Sequence, residues 1–272
     1  MEYETRAGER VPAVGLGTWQ MDDETAREAV GTALALGYRH VDTAQAYGNE
    51  AGVGRAIAAS SVDPEDIFVT TKVEPKHRSV ESIVESAAES LDRLQLETVD
   101  LLLIHWPHPL ADVETVLAGL NEAADRGYTR HVGVSNYGRD RLDRARRASE
   151  RPIFTDQVLF HPWWPQRDLL AYCQDTGVVL TAYSPLATGR ALGDDVLAAI
   201  GERYGKSTAQ VALRWVTQHD SVITIPRSTD REHLAANLDV FDFCLDADER
   251  DRVTRPSYLT TGLAMLRSQI GV

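Results

Sequence analysis

The sequence predicts an α/β protein built as a single (β/α)8 barrel, and three observations lead to that prediction. Eight short apolar, β-branched runs alternate with amphipathic segments along the 272 residues. Near-continuous apolar strands that alternate with helices are typical of a parallel sheet that helices cover. Eight such units favour a closed TIM barrel, because open doubly wound sheets more often contain about five or six strands.

The eight apolar runs define the expected strands of the barrel. Each is short and rich in β-branched residues, as strands buried on both faces usually are. The expected strands are Ala13–Gly17, His40–Asp42, Ile67–Thr71, Leu101–His105, Thr129–Val134, Phe154–Leu159, Val178–Ala182 and Val222–Ile225.

The segments between these runs have apolar residues three or four positions apart, which is the period of a helix. Gly37 and Gly177 stand where left-handed residues commonly end helices. Ser79 is a suitable N-terminal cap for the segment that follows it. The clearest expected helices are Asp23–Leu36, Val80–Leu94, Val113–Arg126 and Arg167–Thr176.

Two departures from the strict repeat are expected. A β-hairpin at Tyr3–Val11, with Gly8 in its turn, precedes the barrel. Asp194–Tyr204 and Thr208–Gln218 both have helical character, so an extra helix precedes the eighth strand. The tail from Arg255 to Val272 lacks clear periodicity, and we expect it to fold over one mouth of the barrel.

Composition excludes several classes of protein. No stretch approaches the roughly 18 to 20 consecutive apolar residues of a membrane helix, and the polar start MEYETRAGER lacks the apolar core of a secretory signal. The net charge of −13, from 41 acidic and 28 basic residues, argues against nucleic acid as a partner. We therefore expect one cytoplasmic domain spanning residues 1–272, monomeric by default. Cys173 and Cys244 have no CxxC or Cys/His cluster around them and are both expected to fill the core.

Arginine supplies nearly all the positive charge of this chain. Its only lysines are Lys72, Lys76 and Lys206. An acidic, lysine-poor surface is one form of adaptation to salt, in which excess charge keeps a protein soluble. A codon bias that favours arginine explains the composition equally well, so salt tolerance stays a hypothesis at this point.

Polar residues stand at or near the ends of most of the apolar runs. Active sites of such barrels lie at the C-terminal ends of the strands, so these residues are candidates for function. Lys72 is unusual because buried ammonium groups are rare unless they are paired, and Asp42 is its natural partner. The other candidates at or near the strand ends are His105, Ser135, Asn136, Gln157, Tyr183 and Ser184.

A carboxylate, an ammonium, an imidazole and a nearby phenol together suit one kind of chemistry. A phenol with an ordinary pKa of about 10 releases its proton poorly near neutrality, and a neighbouring ammonium favours the phenolate. Lys72 would therefore tune Tyr47, Asp42 would hold Lys72 charged, and His105 would bond a substrate carbonyl oxygen or relay its proton. Such a site protonates a carbonyl whose carbon receives a hydride, and a cofactor must supply that hydride.

The sequence resembles the aldo-keto reductases almost from end to end. The phrase GYRHVDTAQAYGNE at 37–50 is the most specific, since its aspartate and tyrosine are half of that family's catalytic tetrad. VGLGTWQ at 14–20 lacks the third glycine of a Rossmann fingerprint, in agreement with the family. The other matching segments are LLLIHWP at 101–107, GVSNY at 133–137 and IPRSTDREHLAANLDVFDF at 225–243.

This resemblance implies a role for each matching residue. Tyr47 would be the proton donor, Lys72 and Asp42 its tuning pair, and His105 the residue that orients the carbonyl. Trp19 and Trp106 would wall the substrate, whereas Trp163 and Trp164 are interpreted as core packing. The implied cofactor residues are Ser135, Asn136 and Gln157 at the carboxamide, Tyr183 stacked on the nicotinamide, and Thr18 with Ser184–Leu186 along the cofactor path.

The segment expected to bind the adenosine 2′-phosphate departs from the family pattern. Arg227 replaces the usual lysine beside Ser228, and His233 replaces an arginine, with Asp230 nearby. Ala236 stands where many members carry glutamate, while Asn237 keeps its usual place. Arginine can still pair with a phosphate in bidentate fashion, but neutral histidine adds less charge. We therefore expect NADPH to be preferred by a modest margin, with NADH usable.

Other features of the sequence bear on the substrate and on two alternative functions. A short loop after His105 and a short tail resemble the compact microbial branch, similar to 2,5-diketo-gluconate reductase, that reduces small aldehydes, α-ketoaldehydes and keto-sugar acids. A metal-dependent hydrolase would use His105, His108, Asp42 and His161, but Lys72 among the ligands would repel a cation. A NADPH-binding sensor or regulatory subunit on the same fold is the remaining alternative.

Overall fold

The structure is a computed structural model that describes residues 2–6, 8–108 and 111–257. It begins with an antiparallel hairpin of β1 (Tyr3–Arg6) and β2 (Glu9–Pro12). Gly8 has a φ of +83°, a left-handed conformation that glycine adopts without steric cost. The predicted hairpin is therefore confirmed.

The next eight strands are all parallel and pair in chain order. The last of them also joins the chain just before the first, because Thr224 N–H donates to the Ala13 oxygen and Gly15 N–H to the Thr224 oxygen, both at 2.8 Å. The predicted barrel is confirmed. Its strands are β3 (Leu16–Gly17), β4 (His40–Asp42), β5 (Phe68–Val73), β6 (Val99–Ile104), β7 (Thr129–Ser135), β8 (Ile153–Leu159), β9 (Val179–Tyr183) and β10 (Val222–Thr224).

Helices follow the strands and cover the barrel. The Ser79 hydroxyl accepts the N–H of Ser82 at the start of one helix, and Gly37 and Gly177 end two others in left-handed conformations, as predicted. The helices are α1 (Asp23–Leu36), α2 (Glu50–Ala59), α3 (Val80–Leu94), α4 (Val113–Asp125), α5 (Arg139–Ala148), α6 (Arg167–Thr176), α7 (Asp195–Tyr204), α8 (Thr208–Thr217), α9 (Arg231–Leu238) and α10 (Ala247–Val253).

The extra helix before the last strand is present, since α7 and α8 both lie between β9 and β10. Helix α7 begins one residue later than predicted. Asp194 is its cap, and the carboxylate accepts the N–H groups of Val196 and Leu197. A side chain that bonds these free N–H groups ends the helical hydrogen-bond pattern at its own position.

The hydrophobic core has two parts. The larger lies between the barrel and its helices. The smaller fills one end of the barrel, mainly with residues from the first halves of their strands: Val11, Phe68, Leu101, Leu103, Phe154, Val179 and Ile223. Because this end is apolar and closed by the hairpin residue Val11, the polar interior residues lie toward the C-terminal ends of the strands.

Two predictions from sequence need correction. Strand β5 continues to Val73, so Lys72 lies inside the strand rather than after it, and its side chain is 0% exposed. Cys173 is buried as predicted, but Cys244 is exposed and does not fill the core. The Cys244 sulfur accepts a hydrogen bond of 3.0 Å from Arg214 Nη2, in a segment without regular structure.

The described chain ends beside the loop that follows β8. Arg255 N–H donates to the Pro162 oxygen and Ser257 N–H to the Trp163 oxygen, both at 3.0 Å. Residues 258–272 of the tail lie outside the described residues, so its predicted position over a barrel mouth stays a prediction. Within the described ranges, no helix is long and apolar enough to cross a membrane.

Two helical glycines allow a test of the packing. A β-carbon at Gly54 in α2 would lie 2.1 Å from the Leu94 carbonyl oxygen, whereas one at Gly31 in α1 would meet nothing within 4 Å. We expect Gly54→Ala to lower the free energy of unfolding by about 1 to 3 kcal/mol because backbone must move. Gly31→Ala, the matched control, should raise it by about 0.5 to 1 kcal/mol. Urea unfolding followed by circular dichroism measures both, and equal effects would contradict the close approach of α2 to the end of α3.

Candidate active site

A cavity of about 760 Å³ opens at the C-terminal ends of the strands. We call it the mouth cavity. It brings together most of the residues predicted from sequence, although they come from all parts of the chain. The predicted residues that line it are Trp19, Asp42, Tyr47, His105, Trp106, Ser135, Asn136, Gln157, Tyr183, Ser184 and Arg227.

Beneath the mouth cavity lies a buried ion pair. Lys72 Nζ donates to Asp42 Oδ1 at 2.5 Å and to the Thr43 carbonyl oxygen at 2.9 Å. Burial by itself would lower the pKa of Lys72, but Asp42 and then Tyr47 oppose it, and the pKa lies above its ordinary value. The ammonium therefore stays charged, and the predicted partnership of Asp42 with Lys72 is present in the geometry.

Tyr47 is carried on a 3₁₀ turn, Gln45–Tyr47, that follows β4. Its hydroxyl lies 3.4 Å from Lys72 Nζ. Burial raises the pKa of the Tyr47 phenol above its usual value, and Lys72 acts in the opposite direction. Lys72 thus lowers the pKa of the phenol, as expected from sequence, but burial raises that pKa by more. The phenol therefore keeps its proton at neutral pH.

His105 is the first residue after β6, and its backbone N–H donates to the Val73 oxygen at 3.0 Å. Burial, together with the charge on Lys72, lowers the pKa of His105 to about 3. The imidazole is therefore neutral at physiological pH. Its ring lies edge-on to the Tyr47 ring, with 5.5 Å between the ring centroids, and both residues line the mouth cavity.

A second polar group lies where β7, β8 and β9 end. Asn136, with a left-handed φ of +62°, donates from Nδ2 to Ser135 Oγ at 3.0 Å and to the His105 oxygen at 3.2 Å. Its Oδ1 accepts from the Tyr183 hydroxyl at 2.8 Å. The Ser135 hydroxyl donates to the Gln157 carbonyl oxygen at 2.8 Å. These bonds hold the Asn136 amide and the Tyr183 ring at one wall of the mouth cavity.

Gln157 connects this wall to the ion pair, a contact that sequence reasoning did not predict. Its Nε2 donates to Asp42 Oδ2 at 2.7 Å. Strands β4 and β8 lie four strands apart in the eight-stranded sheet, so this bond crosses the barrel interior. Both Asp42 oxygens are therefore bonded, one to Lys72 and one to Gln157.

The residues predicted to bind the 2′-phosphate do not all meet at the mouth cavity. Arg227 lines the mouth cavity and donates from Nη2 to the Gln20 oxygen at 3.2 Å. His233 is exposed, with Nδ1 3.8 Å from Asp230 Oδ1, and Asn237 is buried. Ser228 Oγ bonds the backbone of Asp230 and does not line the mouth cavity.

Thr18 and Leu186, both predicted to lie along the cofactor path, do not line the mouth cavity. Thr18 is fully buried, and its hydroxyl donates to the Asp42 carbonyl oxygen at 3.1 Å. Leu186 is partly buried against the core. Ser184, in the same predicted stretch, does line the cavity, so part of Ser184–Leu186 belongs to the cavity wall.

Several lining residues were missed by sequence reasoning. Ala187, Thr188 and Arg190 belong to the segment after β9, where Ala187 and Thr188 have φ values of +50° and +54°. Neither alanine nor threonine favours a left-handed conformation, so the sequence pattern did not predict this turn. Sequence reasoning considered His161 only as a metal ligand. Its place in the His-Pro step just after β8 was the signal that could have identified it as a lining residue. The remaining lining residues are Gly17, Ala46, Leu159 and Ile225.

The metal-site interpretation finds no support in the geometry. In residues 2–6, 8–108 and 111–257, no three or more His, Cys, Asp or Glu side chains lie together in a way that could hold a metal ion. His105 faces Tyr47 instead, and His161 Nδ1 accepts the N–H of Trp163 at 3.2 Å.

A nicotinamide dinucleotide fits the groups that are present. The Ser135 hydroxyl and the amides of Asn136 and Gln157 match a carboxamide, which both donates and accepts hydrogen bonds. The Tyr183 ring borders the same wall, and Arg227 supplies a cation for phosphate at another part of the cavity. A cavity of about 760 Å³ is within the usual size for a cofactor and small substrate.

Comparison with known proteins agrees with this geometry. The model of the aldo/keto reductase family matches residues 13–256. An aldo-keto reductase of Mycobacterium avium is 41% identical over 90% of this chain and 85% of its own length. The methylglyoxal reductase DkgB of Escherichia coli O157:H7 is 39% identical over 89% of this chain and 92% of its own.

Solved structures give the same result for the fold and the cofactor. A structure assigned to a 2,5-diketo-D-gluconic acid reductase B superposes with a TM-score of 0.91 at 39% identity, covering 93% of this chain and 90% of that one. The aldo-keto reductase AKR2E5, solved with NADPH, superposes with a TM-score of 0.87 at 30% identity, covering 92% and 86%. This chain therefore belongs to the aldo-keto reductase family and is an NAD(P)H-dependent carbonyl reductase.

Proposed function

We propose that this protein reduces small aldehydes and ketones to alcohols with NADPH, and that Tyr47 gives the carbonyl oxygen its proton. The observation that carries the proposal is the Tyr47 hydroxyl, which opens on the mouth cavity and lies 3.4 Å from the ammonium of a buried ion pair. NADPH, when bound, supplies the hydride to the carbonyl carbon. The residues of this chain supply the proton, orient the carbonyl and bind the substrate and the cofactor.

The proton is held and released at Tyr47 Oη. Burial keeps the phenol protonated before reaction, since its pKa lies above the usual value. As the proton moves to the substrate oxygen, negative charge develops on Oη next to Lys72, and that ammonium stabilises it. Asp42 keeps Lys72 charged and directed at the phenol.

His105 orients the carbonyl. Because its pKa is about 3, the ring is neutral and offers an N–H hydrogen bond rather than a proton. The edge-on contact with the Tyr47 ring lets both groups reach one substrate oxygen. In this assignment Tyr47 is the acid and His105 is the hydrogen-bond donor.

The walls around this point suit a compact substrate. Trp19 and Trp106 line the mouth cavity beside Tyr47 and His105 and would cover the apolar part of a substrate. The relative from Escherichia coli is named a methylglyoxal reductase, which is an activity on a small α-ketoaldehyde. Small aldehydes, α-ketoaldehydes and keto-sugar acids are therefore the substrate classes that we propose.

The proposed cofactor contacts follow the wall described above. Ser135, Asn136 and Gln157 would bond the carboxamide, and Tyr183 would stack on the nicotinamide ring. Gln157 Nε2 donates one of its two hydrogens to Asp42, so Oε1 and the second N–H remain for the carboxamide. We assign the phosphate contact to Arg227, and we place Thr18 and Leu186 behind the surface that the cofactor touches.

Removing the Tyr47 hydroxyl tests the function directly. Tyr47→Phe should lower kcat by about 10²- to 10⁴-fold, the usual contribution of general acid catalysis, and leave NADPH binding unchanged. Tyr172→Phe is a matched control, since it removes a phenol that bonds Asp143 on the outside of the barrel. The assay is NADPH absorbance with a panel of aldehydes and ketones.

Full activity in Tyr47→Phe would remove Tyr47 as the proton donor. No turnover by the wild type with any carbonyl, together with tight NADPH binding, would favour the sensor alternative instead.

The pKa values predict the shape of the pH profile. With the His105 pKa at about 3 and the Tyr47 pKa raised above its ordinary value, neither group titrates near neutrality. The rate of reduction should be flat between roughly pH 5 and pH 9 and fall as pH rises through the Tyr47 pKa, because the proton is then lost. The measurement is kcat/KM against pH, with His105→Gln as a control that lowers the rate and keeps the shape. An inflection near pH 6.5 in the wild type that His105→Gln abolishes would mean that His105 itself titrates.

Cofactor preference is expected to be modest because Asp230 stands beside the phosphate segment. Its carboxylate caps α9 and lies 3.8 Å from His233. His233→Arg adds a permanent cation there and should raise the kcat/KM ratio of NADPH over NADH by about 2- to 5-fold, as expected for one exposed charge pair. Asp175→Asn makes the same change in net charge at an exposed residue of α6 and should leave the ratio unchanged. An unchanged ratio in His233→Arg would place the 2′-phosphate away from α9.

A further inference from the structure

The turn that carries Tyr47 has few bonds of its own. It spans only Gln45–Tyr47, and its backbone bonds are those from Tyr47 N–H to the Ala44 oxygen and from Gly48 N–H to the Gln45 oxygen. Such a short 3₁₀ turn does not hold its position without tertiary contacts. The place of the Tyr47 hydroxyl must therefore be set by side chains around the turn.

The Gln45 side chain supplies an extensive set of these contacts. Its Nε2 lies within hydrogen-bond distance of three oxygens that share its two N–H donors: the Ser86 carbonyl oxygen at 2.8 Å, Ser86 Oγ at 2.6 Å and Ser90 Oγ at 2.8 Å. Its Oε1 accepts from Glu74 N–H at 3.2 Å and from Ser86 Oγ at 2.9 Å. One amide thus bonds helix α3 and the residue Glu74 at once.

The partners of Gln45 leave no freedom in the orientation of its amide. The Glu74 N–H requires an acceptor and the Ser86 carbonyl requires a donor, so Oε1 and Nε2 cannot be exchanged. Ser86 and Ser90 are 1% and 0% exposed, and buried hydroxyls of this kind need bonding partners. Without the amide, Ser86 would lose these side-chain bonds, and Ser90 Oγ would keep only its 3.3 Å bond from Arg93 Nη2.

Glu74 connects this arrangement to the ion pair. It stands one residue after β5, and Lys72 lies two residues before it, within that strand. Gln45 stands two residues before Tyr47. The bond from Glu74 N–H to Gln45 Oε1 therefore joins the chain segment of the phenol to the chain segment of the ammonium.

We propose that Gln45 is a positioning residue that sets the separation between the Tyr47 hydroxyl and the Lys72 ammonium. The proposal rests on the proposed role of Tyr47 as proton donor. The separation of 3.4 Å is already at the long end of a hydrogen bond, so a small outward movement of the turn breaks the contact. The stabilisation of the developing phenolate would be lost with it.

Other side chains hold neighbouring parts of the loop but do not make this connection. Asn49 bonds Thr43 and the backbone of Thr18 and Met21, which secures the end of the loop against the first part of the chain. Glu50 bonds Thr71 and Arg93 at the start of α2. Gln45 lies on the 3₁₀ turn itself, nearest to Tyr47.

The test compares Gln45→Met and Gln45→Glu with a matched control. Methionine keeps the length of the side chain without hydrogen bonds, and glutamate sets a carboxylate against the Ser86 carbonyl. Gln218→Met is the control, because Gln218 is also half-buried and bonds both the N–H and the oxygen of Leu245, far from the mouth cavity. The measurements are kcat, NADPH affinity by fluorescence, thermal unfolding, the pH dependence of alcohol oxidation and the crystal structures of the variants.

We expect both Gln45 variants to lower kcat by about tenfold to 10²-fold, the effect of a misplacement near 1 Å, while NADPH affinity is unchanged. Oxidation of the alcohol requires the phenolate. Because Lys72 lowers the pKa of Tyr47, a longer separation raises that pKa and moves the midpoint of oxidation to higher pH. The Gln218→Met variant should lose thermal stability and keep both the rate and the midpoint.

Two results would overturn the proposal. One is wild-type kcat in Gln45→Met; the other is a lower kcat with an unchanged pH midpoint and an unchanged distance between Tyr47 Oη and Lys72 Nζ in the variant structure. Tyr47→Phe, measured in parallel, separates the two levels of inference. If Tyr47→Phe is fully active, the proposed role of Tyr47 as proton donor fails; if it is inactive and Gln45→Met is normal, only the role of Gln45 fails.

Discussion

The buried contact between Lys72 and Asp42 is the interaction on which the site depends. Moving two charges out of water costs several kcal/mol for each ion, and the cost is offset only when the remaining bonding positions are filled. Here they are filled by the Thr43 carbonyl oxygen for Lys72 and by Gln157 for Asp42. The pair thus constrains strands β4, β5 and β8 together, and Tyr47 lies where the charge of Lys72 reaches it.

The barrel makes this arrangement possible because its two ends differ. The smaller apolar cluster, with Val11 from the hairpin, fills one end, so the polar groups share the other end with the mouth cavity. Closure by Ala13, Gly15 and Thr224 then brings β4 and β8 face to face across the interior. An open sheet of the same strands would leave Asp42 and Gln157 far apart.

Charge is distributed unevenly between the surface and the site. The chain carries a net charge of −13, yet the charged side chains that line the mouth cavity are Arg190, Arg227 and the paired Asp42. An anionic cofactor is therefore attracted locally by a protein that repels anions at long range. This local excess of cations agrees with the cofactor of the family, whereas the acidic surface itself has no structural explanation in the site.

Sequence alone determined the order of strands and helices and the chemical types in the site. Apolar runs and helical periodicity depend on neighbouring residues, so α1, α3 and α6 were predicted with the bounds that the structure has. Asp42 and His105 were found because they end strands, where a barrel places its active site, and Tyr47 was found in the family phrase at 37–50. The exposed position of Cys244 could not be found in this way, since its segment has no regular period.

Only the tertiary structure decided how these groups meet. The bond between Gln157 and Asp42 joins residues 115 positions apart, and the amide of Gln45 joins residues up to 45 positions away. The net rise in the Tyr47 pKa was likewise beyond sequence reasoning, because burial is a property of the packed protein and here outweighs the charge of Lys72. The local sequence pattern determines which side chains a strand carries. Long-range packing determines the distances between those side chains and their exposure to water, and these two quantities control the chemistry.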